Sequence, residues 1–125
     1  YHTPGLWANT CCTHPYWDET DSDCASRRLF EELQLTKLHL ENRGKIEYRA
    51  DVGQGLIEHE IVEIFTSTCS NLPKVTPNPE EVMEVKWLDQ IELANKVKRN
   101  PDEFTPWLRI YMLKHFEQIS GTVTA

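Results

Sequence analysis

The chain has 125 residues, 39% hydrophobic and 26% charged, which is ordinary globular composition and excludes a disordered tail, a collagen and a coiled coil. It carries 13 Lys and Arg against 20 Asp and Glu, a net charge of −7. No positive field covers such a surface, so non-specific nucleic-acid binding is excluded, whereas a small anionic ligand needs only a local cluster of cations. The chain opens on Tyr1-His2-Thr3-Pro4 with neither an initiator Met nor a signal-peptide pattern, and the expectation is that it starts inside a longer protein. Residues 7–14 read as an extended segment, in which Cys12 and His14 would share one face and Cys11 and Thr13 the other; Pro15 ends it. Residues 22–33 read as a helix capped by Asp21 or Ser22, with Ala25, Leu29 and Leu33 as its buried stripe and with Arg27–Glu31 and Arg28–Glu32 at i,i+4. Residues 44–51 and 56–67 read as a hairpin around the Val52-Gly53-Gln54-Gly55 turn. A Pro- and Asn-rich loop (Pro73, Pro77, Asn78, Pro79) leads to a predicted strand over 82–88. Asp89 caps a helix ended by Pro101, and Thr105-Pro106-Trp107 starts a last helix running to about Ile119. Mixed strands and helices with an antiparallel pair predict an α+β fold.

No apolar run approaches the ~20 residues of a membrane helix. Cys11, Cys12, Cys24 and Cys69 permit two disulfides, but a chain of this length builds a core without them. With no export signal, four reduced thiols in a cytoplasmic protein are expected.

Three constellations can carry chemistry. On the returning strand Leu56, Glu58, Glu60, Val62 and Ile64 share a face. Two carboxylates on a half-buried face repel unless a proton or a cation intervenes, and oxygen ligands suit Mg2+ or Mn2+; the plain alternative is a solvent-facing strand side. Cys12-Thr13-His14 places a thiol and an imidazole together, as a thiolate–imidazolium pair or part of a metal site, against the alternative of a packed Cys beside a surface His. A zinc site from Cys11, Cys12, His14 and Cys69 lacks paired-ligand spacing. The third is the charged helix around Arg27, Arg28, Glu31 and Glu32, which alone is a surface helix with two ion pairs.

That helix and the loop before it resemble the Nudix box, G-x5-E-x7-R-E-U-x-E-E-x-G-U with U apolar, over the 23 residues from Thr13 to Leu35. Glu19, Arg27, Leu29, Glu31, Glu32 and Leu35 fit; Thr13 and Gln34 replace the glycines, and Arg28 replaces a Glu that is a metal ligand in the hydrolases. The whole chain is similar to one family that keeps such a degenerate box, the type I isopentenyl-diphosphate isomerases. The likeness runs through Pro4 to Pro15 around Cys12, Tyr48-Arg49-Ala50, Glu58-His59-Glu60, Glu81-Val82-Met83 with Trp87, and Thr105-Pro106-Trp107.

The resemblance implies a single Nudix-type domain over residues 1–125, an α/β/α sandwich with a mixed β-sheet, N-terminally incomplete because the family's preceding His and basic residues find no match here. It implies isomerisation of isopentenyl diphosphate to dimethylallyl diphosphate. One group protonates the terminal CH2 and another removes a proton from C2 on the opposite face, through a tertiary carbocation that water must not reach. Cys12 and Glu60 match the two proton-transfer residues, Tyr48 the tyrosine that bonds to the Glu and relays its proton, and Trp107 the ring that stabilises the cation. His14, Glu58 and Glu60 match ligands of a buried Mn2+ or Mg2+, with Zn2+ also associated with that site. Glu32 matches the carboxylate that holds a second Mg2+ with the diphosphate, and Arg28 matches a diphosphate-binding arginine. The implied partner is the small-molecule diphosphate alone, with no nucleic acid and no membrane, and a monomer is expected. Two other readings stand beside it: a Nudix hydrolase of a diphosphate, which needs the Glu that Arg28 replaces and has no use for the Cys12 thiol, and a non-catalytic interaction domain on the same scaffold.

Overall fold

The computed structural model describes residues 5–69 and 71–120; Pro4, where the family-like signature begins, lies outside them. The elements run α1 (Asp21–Leu33), β1 (Glu41–Gly53), β2 (Leu56–Thr66), α2 (Gln90–Arg99), a 3-10 turn (Pro101–Glu103), α3 (Pro106–Lys114) and α4 (Phe116–Ser120). The chain divides into two compact units. One holds the described residues up to Ala8, Arg43–Ile64 and those from Trp87 onward; the other holds Asn9–Asn42 and the described part of Phe65–Lys86.

The hairpin β1–β2 is a two-stranded antiparallel sheet. Its inner side follows from period-two patterning: Ile46, Tyr48, Ala50 and Val52 are buried while Lys45, Glu47, Arg49 and Asp51 between them are exposed. Gly53, Gln54 and Gly55 all have positive φ, at 94°, 55° and 75°; two glycines make such a tight reversal accessible. Ile46, Tyr48 and Ala50 form one apolar cluster with Tyr111 of α3. Val97 of α2, Phe104 and Leu108 form a second, and Trp107 packs against both. Trp7 joins the same unit through a parallel bridge to Phe104: its N–H donates to the Glu103 carbonyl and its carbonyl accepts from Thr105 N–H, both at 2.9 Å.

In the other unit α1 begins one residue before its predicted start. Thr20, not Asp21 or Ser22, is the cap; its backbone is extended and its Oγ1 accepts from Asp23 N–H at 3.0 Å, which leaves Asp21 and Asp23 in the first turn, where the helix dipole favours them. Cys24 and Leu33 are buried, with Ala25 and Leu29 half-buried.

Three further expectations need correction. Between residues 7 and 14 only Trp7 makes a ladder contact, so Cys12 and His14 do not lie on a strand. Residues 82–88 form no strand: Met83, Val85 and Trp87 are exposed, and among the described residues no neighbouring strand pairs with their backbone, without which a strand is not held. The last helix breaks at His115, whose φ of −130° leaves the helical region, although neither Gly nor Pro marks the break. Among the described residues, no helix is long and apolar enough to cross a membrane.

Candidate active site

On the hairpin, Glu58 and Glu60 are half-buried while Ile57, His59 and Ile61 between them are exposed. The two carboxylates therefore share the side that carries Val62 and Ile64 into the apolar cluster, and the solvent-facing alternative is set aside. His59 points the other way and pairs with Glu47 on the exposed side at 3.2 Å. Tyr48, only 3% exposed, donates its hydroxyl to Glu58. Glu58 is the first carboxylate of the pair, and Glu60, the one that the resemblance singles out, also acts electrostatically on the Tyr48 phenol. Its ring meets Tyr111 edge-on, with centroids 5.8 Å apart at 88°. Burial, then the bond to Glu58, pushes the Tyr48 phenol well above its usual range, so it keeps its proton and acts as a donor. Trp107, half-buried, packs against the same cluster as Tyr48. It is the second residue of α3, and its place is set by Thr105, 2% exposed, whose hydroxyl caps the helix by accepting from Leu108 N–H, and by Pro106 at the first helical position.

The second group lies on α1 and the segments packed beside it. Glu19 takes two hydrogen bonds from Arg27, at 2.8 and 3.0 Å, and one from Tyr16 N–H at 2.9 Å. The Arg27 bonds, then the Tyr16 amide, pull its carboxyl down to about 2. Arg27 also stacks over the Tyr16 ring, 3.8 Å from its centroid, and pairs with Glu31 at 2.9 Å. Arg28 bonds Glu31 at 2.8 Å, Glu32 at 3.2 Å and Glu81 at 2.8 Å. The bond to Glu81, foremost, raises the guanidinium further above its already high range.

The segment around Glu81 is fastened to the end of α1: Thr76 N–H donates to the Leu33 carbonyl and Asn78 N–H to that of Glu32, at 3.0 and 2.8 Å. Those carbonyls are among the acceptors a helix terminus leaves open. Glu32 is half-buried, which raises its carboxyl, with Arg28 opposing. Cys11 hydrogen-bonds to Glu32, and its thiol is pushed up to about 12 by burial first and by the Glu32 charge second. Cys12 and His14 are exposed, and none of the four cysteines is in a disulfide.

The i,i+4 spacing foretold the Arg27–Glu31 and Arg28–Glu32 pairs. Among the partners that sequence reasoning missed are Glu81 on Arg28, Cys11 on Glu32, and Glu19 and Tyr16 on Arg27. No local periodicity links Arg28 to Glu81 or Glu32 to Cys11; the signals were the family-like Glu81-Val82-Met83 segment and the Pro4–Pro15 segment that holds Cys11.

Glu58 and Glu60 offer oxygen donors of the kind a hard divalent cation takes. Among the described residues no three or more His, Cys, Asp or Glu side chains gather to hold an ion. The hairpin pair thus has the chemistry for part of a cation site.

The NUDIX domain family model matches residues 1–108. A protein of Dinoroseobacter shibae named isopentenyl-diphosphate Delta-isomerase is 63% identical over 123 residues, covering 98% of this chain and 70% of that protein. Proteins of the same name from Cereibacter sphaeroides strain KD131 and Ruegeria pomeroyi are 60% and 54% identical, covering 97% of this chain and 68% and 67% of theirs. The chain belongs to the isopentenyl-diphosphate Delta-isomerase family of NUDIX-domain proteins. Isomerases of this family generally need a divalent metal.

Proposed function

We propose that this protein interconverts isopentenyl diphosphate and dimethylallyl diphosphate. The observation that carries the reading is the identity of 54–63% to isomerases across nearly the whole chain. Arg28 supports it against hydrolysis: a cation stands where the hydrolase pattern has a metal-binding Glu, and α1 holds it in place. Cys12 and Glu60 are the two proton-transfer groups, one adding a proton at the terminal carbon and the other removing one from C2. Because water would quench the cation between those steps, the exposed Cys12 must be covered while substrate is bound. Trp107 offers the π face that steadies the cation. Tyr48, kept protonated, donates to Glu58 and so fixes the carboxylate beside Glu60 on the strand.

Arg28 binds the diphosphate, and Glu32 faces the Mg2+ that accompanies it. Mg2+ or Mn2+ is the cation that Glu58 and Glu60, with His14, would help to hold; Zn2+ is less suited to an oxygen-rich set. Bound there, it supplies positive charge that relieves the repulsion between the two carboxylates. The complete domain is a Nudix-type α/β/α sandwich with a mixed sheet, a reading supported by an antiparallel hairpin and a parallel Trp7–Phe104 bridge in one unit. The substrate is a small molecule, the working form a monomer, and the compartment the cytoplasm.

The test is solvent exchange. Isopentenyl diphosphate incubated in D2O with the full-length protein and Mg2+ should yield deuterated dimethylallyl diphosphate, and Cys12→Ala should abolish the label while far-UV circular dichroism stays unchanged. Release of inorganic phosphate without isomerised product would establish the hydrolase instead. Near-normal turnover of Cys12→Ala would remove the thiol from the reaction.

A further inference from the structure

An arginine grips a phosphate through two neighbouring N–H groups on one edge of its planar guanidinium, either Nε with Nη2 or Nη1 with Nη2. Both edges of Arg28 share Nη2, and Nη2 is doubly taken, by Glu32 Oε2 at 3.2 Å and Glu81 Oε1 at 2.8 Å. Nη1 already serves Glu31 at 2.8 Å. Neither edge can accept a diphosphate while both carboxylates stay.

The two holders of Nη2 are not equally placed to leave. Glu32 sits on α1, its side chain 16% exposed, and is further tied to the Cys11 thiol. Glu81 sits on a turn, its side chain 36% exposed. Its other oxygen accepts from Asn78 Nδ2 at 3.2 Å, so releasing Arg28 leaves it partly bonded and close to water.

We propose that Glu81 is an affinity-setting residue: its carboxylate occupies the Arg28 edge on which the substrate's diphosphate sits, and it yields that edge when the diphosphate binds. The proposal rests on the reading that Arg28 binds the diphosphate. Glu81 touches no reacting atom and acts through Arg28. It lowers affinity for any diphosphate, and in its absence product as well as substrate would be held longer.

Inorganic pyrophosphate, titrated calorimetrically into the full-length protein with Mg2+, separates this role from a structural one, because a merely structural contact weakens binding when it is lost. Glu81→Gln should tighten pyrophosphate about two- to fivefold, the span that the modest worth of a half-exposed ion pair allows, and KM for isopentenyl diphosphate should fall with it. Glu81→Ala should do the same, covering the case in which the Gln amide oxygen still engages Arg28. Glu81→Asp, which keeps the charge, should stay nearer the parent. In an Arg28→Gln background, Glu81→Gln should bring no tightening. Unchanged or weaker binding in both Glu81→Gln and Glu81→Ala, with Arg28→Gln itself impaired, overturns the proposal and leaves the diphosphate role of Arg28 standing. Full affinity in Arg28→Gln removes that role, and this inference with it.

Discussion

Glu58 draws one of its hydrogen bonds from a phenol that cannot easily ionise. Tyr48 is buried among Ile46, Ala50 and Tyr111, and its proton is retained because the charged form would lose water and face the carboxylates of Glu58 and Glu60. The linkage has a definite sign. The folded-state pKa lies above the unfolded value of about 10, so the contribution is fully present below pH 10 and is lost as pH rises further. There the unfolded chain releases the proton and the native one does not, which makes the slope of stability against pH negative. Stability measured by urea denaturation should therefore fall steeply above about pH 10, and Tyr48→Phe should flatten that fall while sharply lowering turnover. A Phe variant with the parent's alkaline slope would show that Tyr48 is not the group responsible.

Among the elements, α3 depends most visibly on its first residues. Thr105 caps it, Pro106 fixes the first helical φ, and Trp107 follows directly, so the cap also sets the height of the indole. Thr105→Ala should lower stability by about 1–2 kcal/mol, read from the denaturation midpoint, and Thr105→Ser should recover most of it; equal loss in both variants would point to the Thr methyl rather than to the cap. This signal was readable beforehand because an N-cap followed by Pro is chemistry local to three residues. So were the Asp89 cap of α2 and the hairpin turn, which needed positive φ where glycines stood. The α1 cap falls one or two residues before the expected Asp21 or Ser22 because Thr20, Asp21 and Ser22 all have side-chain oxygens able to cap, and only backbone conformation chooses among them. Strand character at 82–88 failed for another reason: alternation reports what a strand could bury, whereas pairing depends on a distant partner that no local pattern announces.

Across the whole molecule, the same division separates what the sequence disclosed of the candidate site from what it withheld. The inward turn of Glu58 and Glu60 follows from period two and from the apolar company of Val62 and Ile64. The Arg28–Glu81 and Cys11–Glu32 contacts arise only when separate segments meet, as when the 76–81 stretch fastens to the end of α1. In the unit that carries the hairpin, apolar clusters around Ile46 and Tyr111 and around Val97 and Leu108 hold strands and helices together. A divalent cation held by hairpin carboxylates would then add stability only through binding, about 2.7 kcal/mol at a concentration 100 times its Kd. Exhaustive chelation should accordingly abolish isomerisation and lower the melting temperature, yet leave far-UV circular dichroism at 25 °C and cooperative unfolding intact, and restored Mg2+ should bring activity back. Collapse of the far-UV signal on chelation would make the metal a structural element, and turnover that persists in chelator would remove it from the reaction altogether.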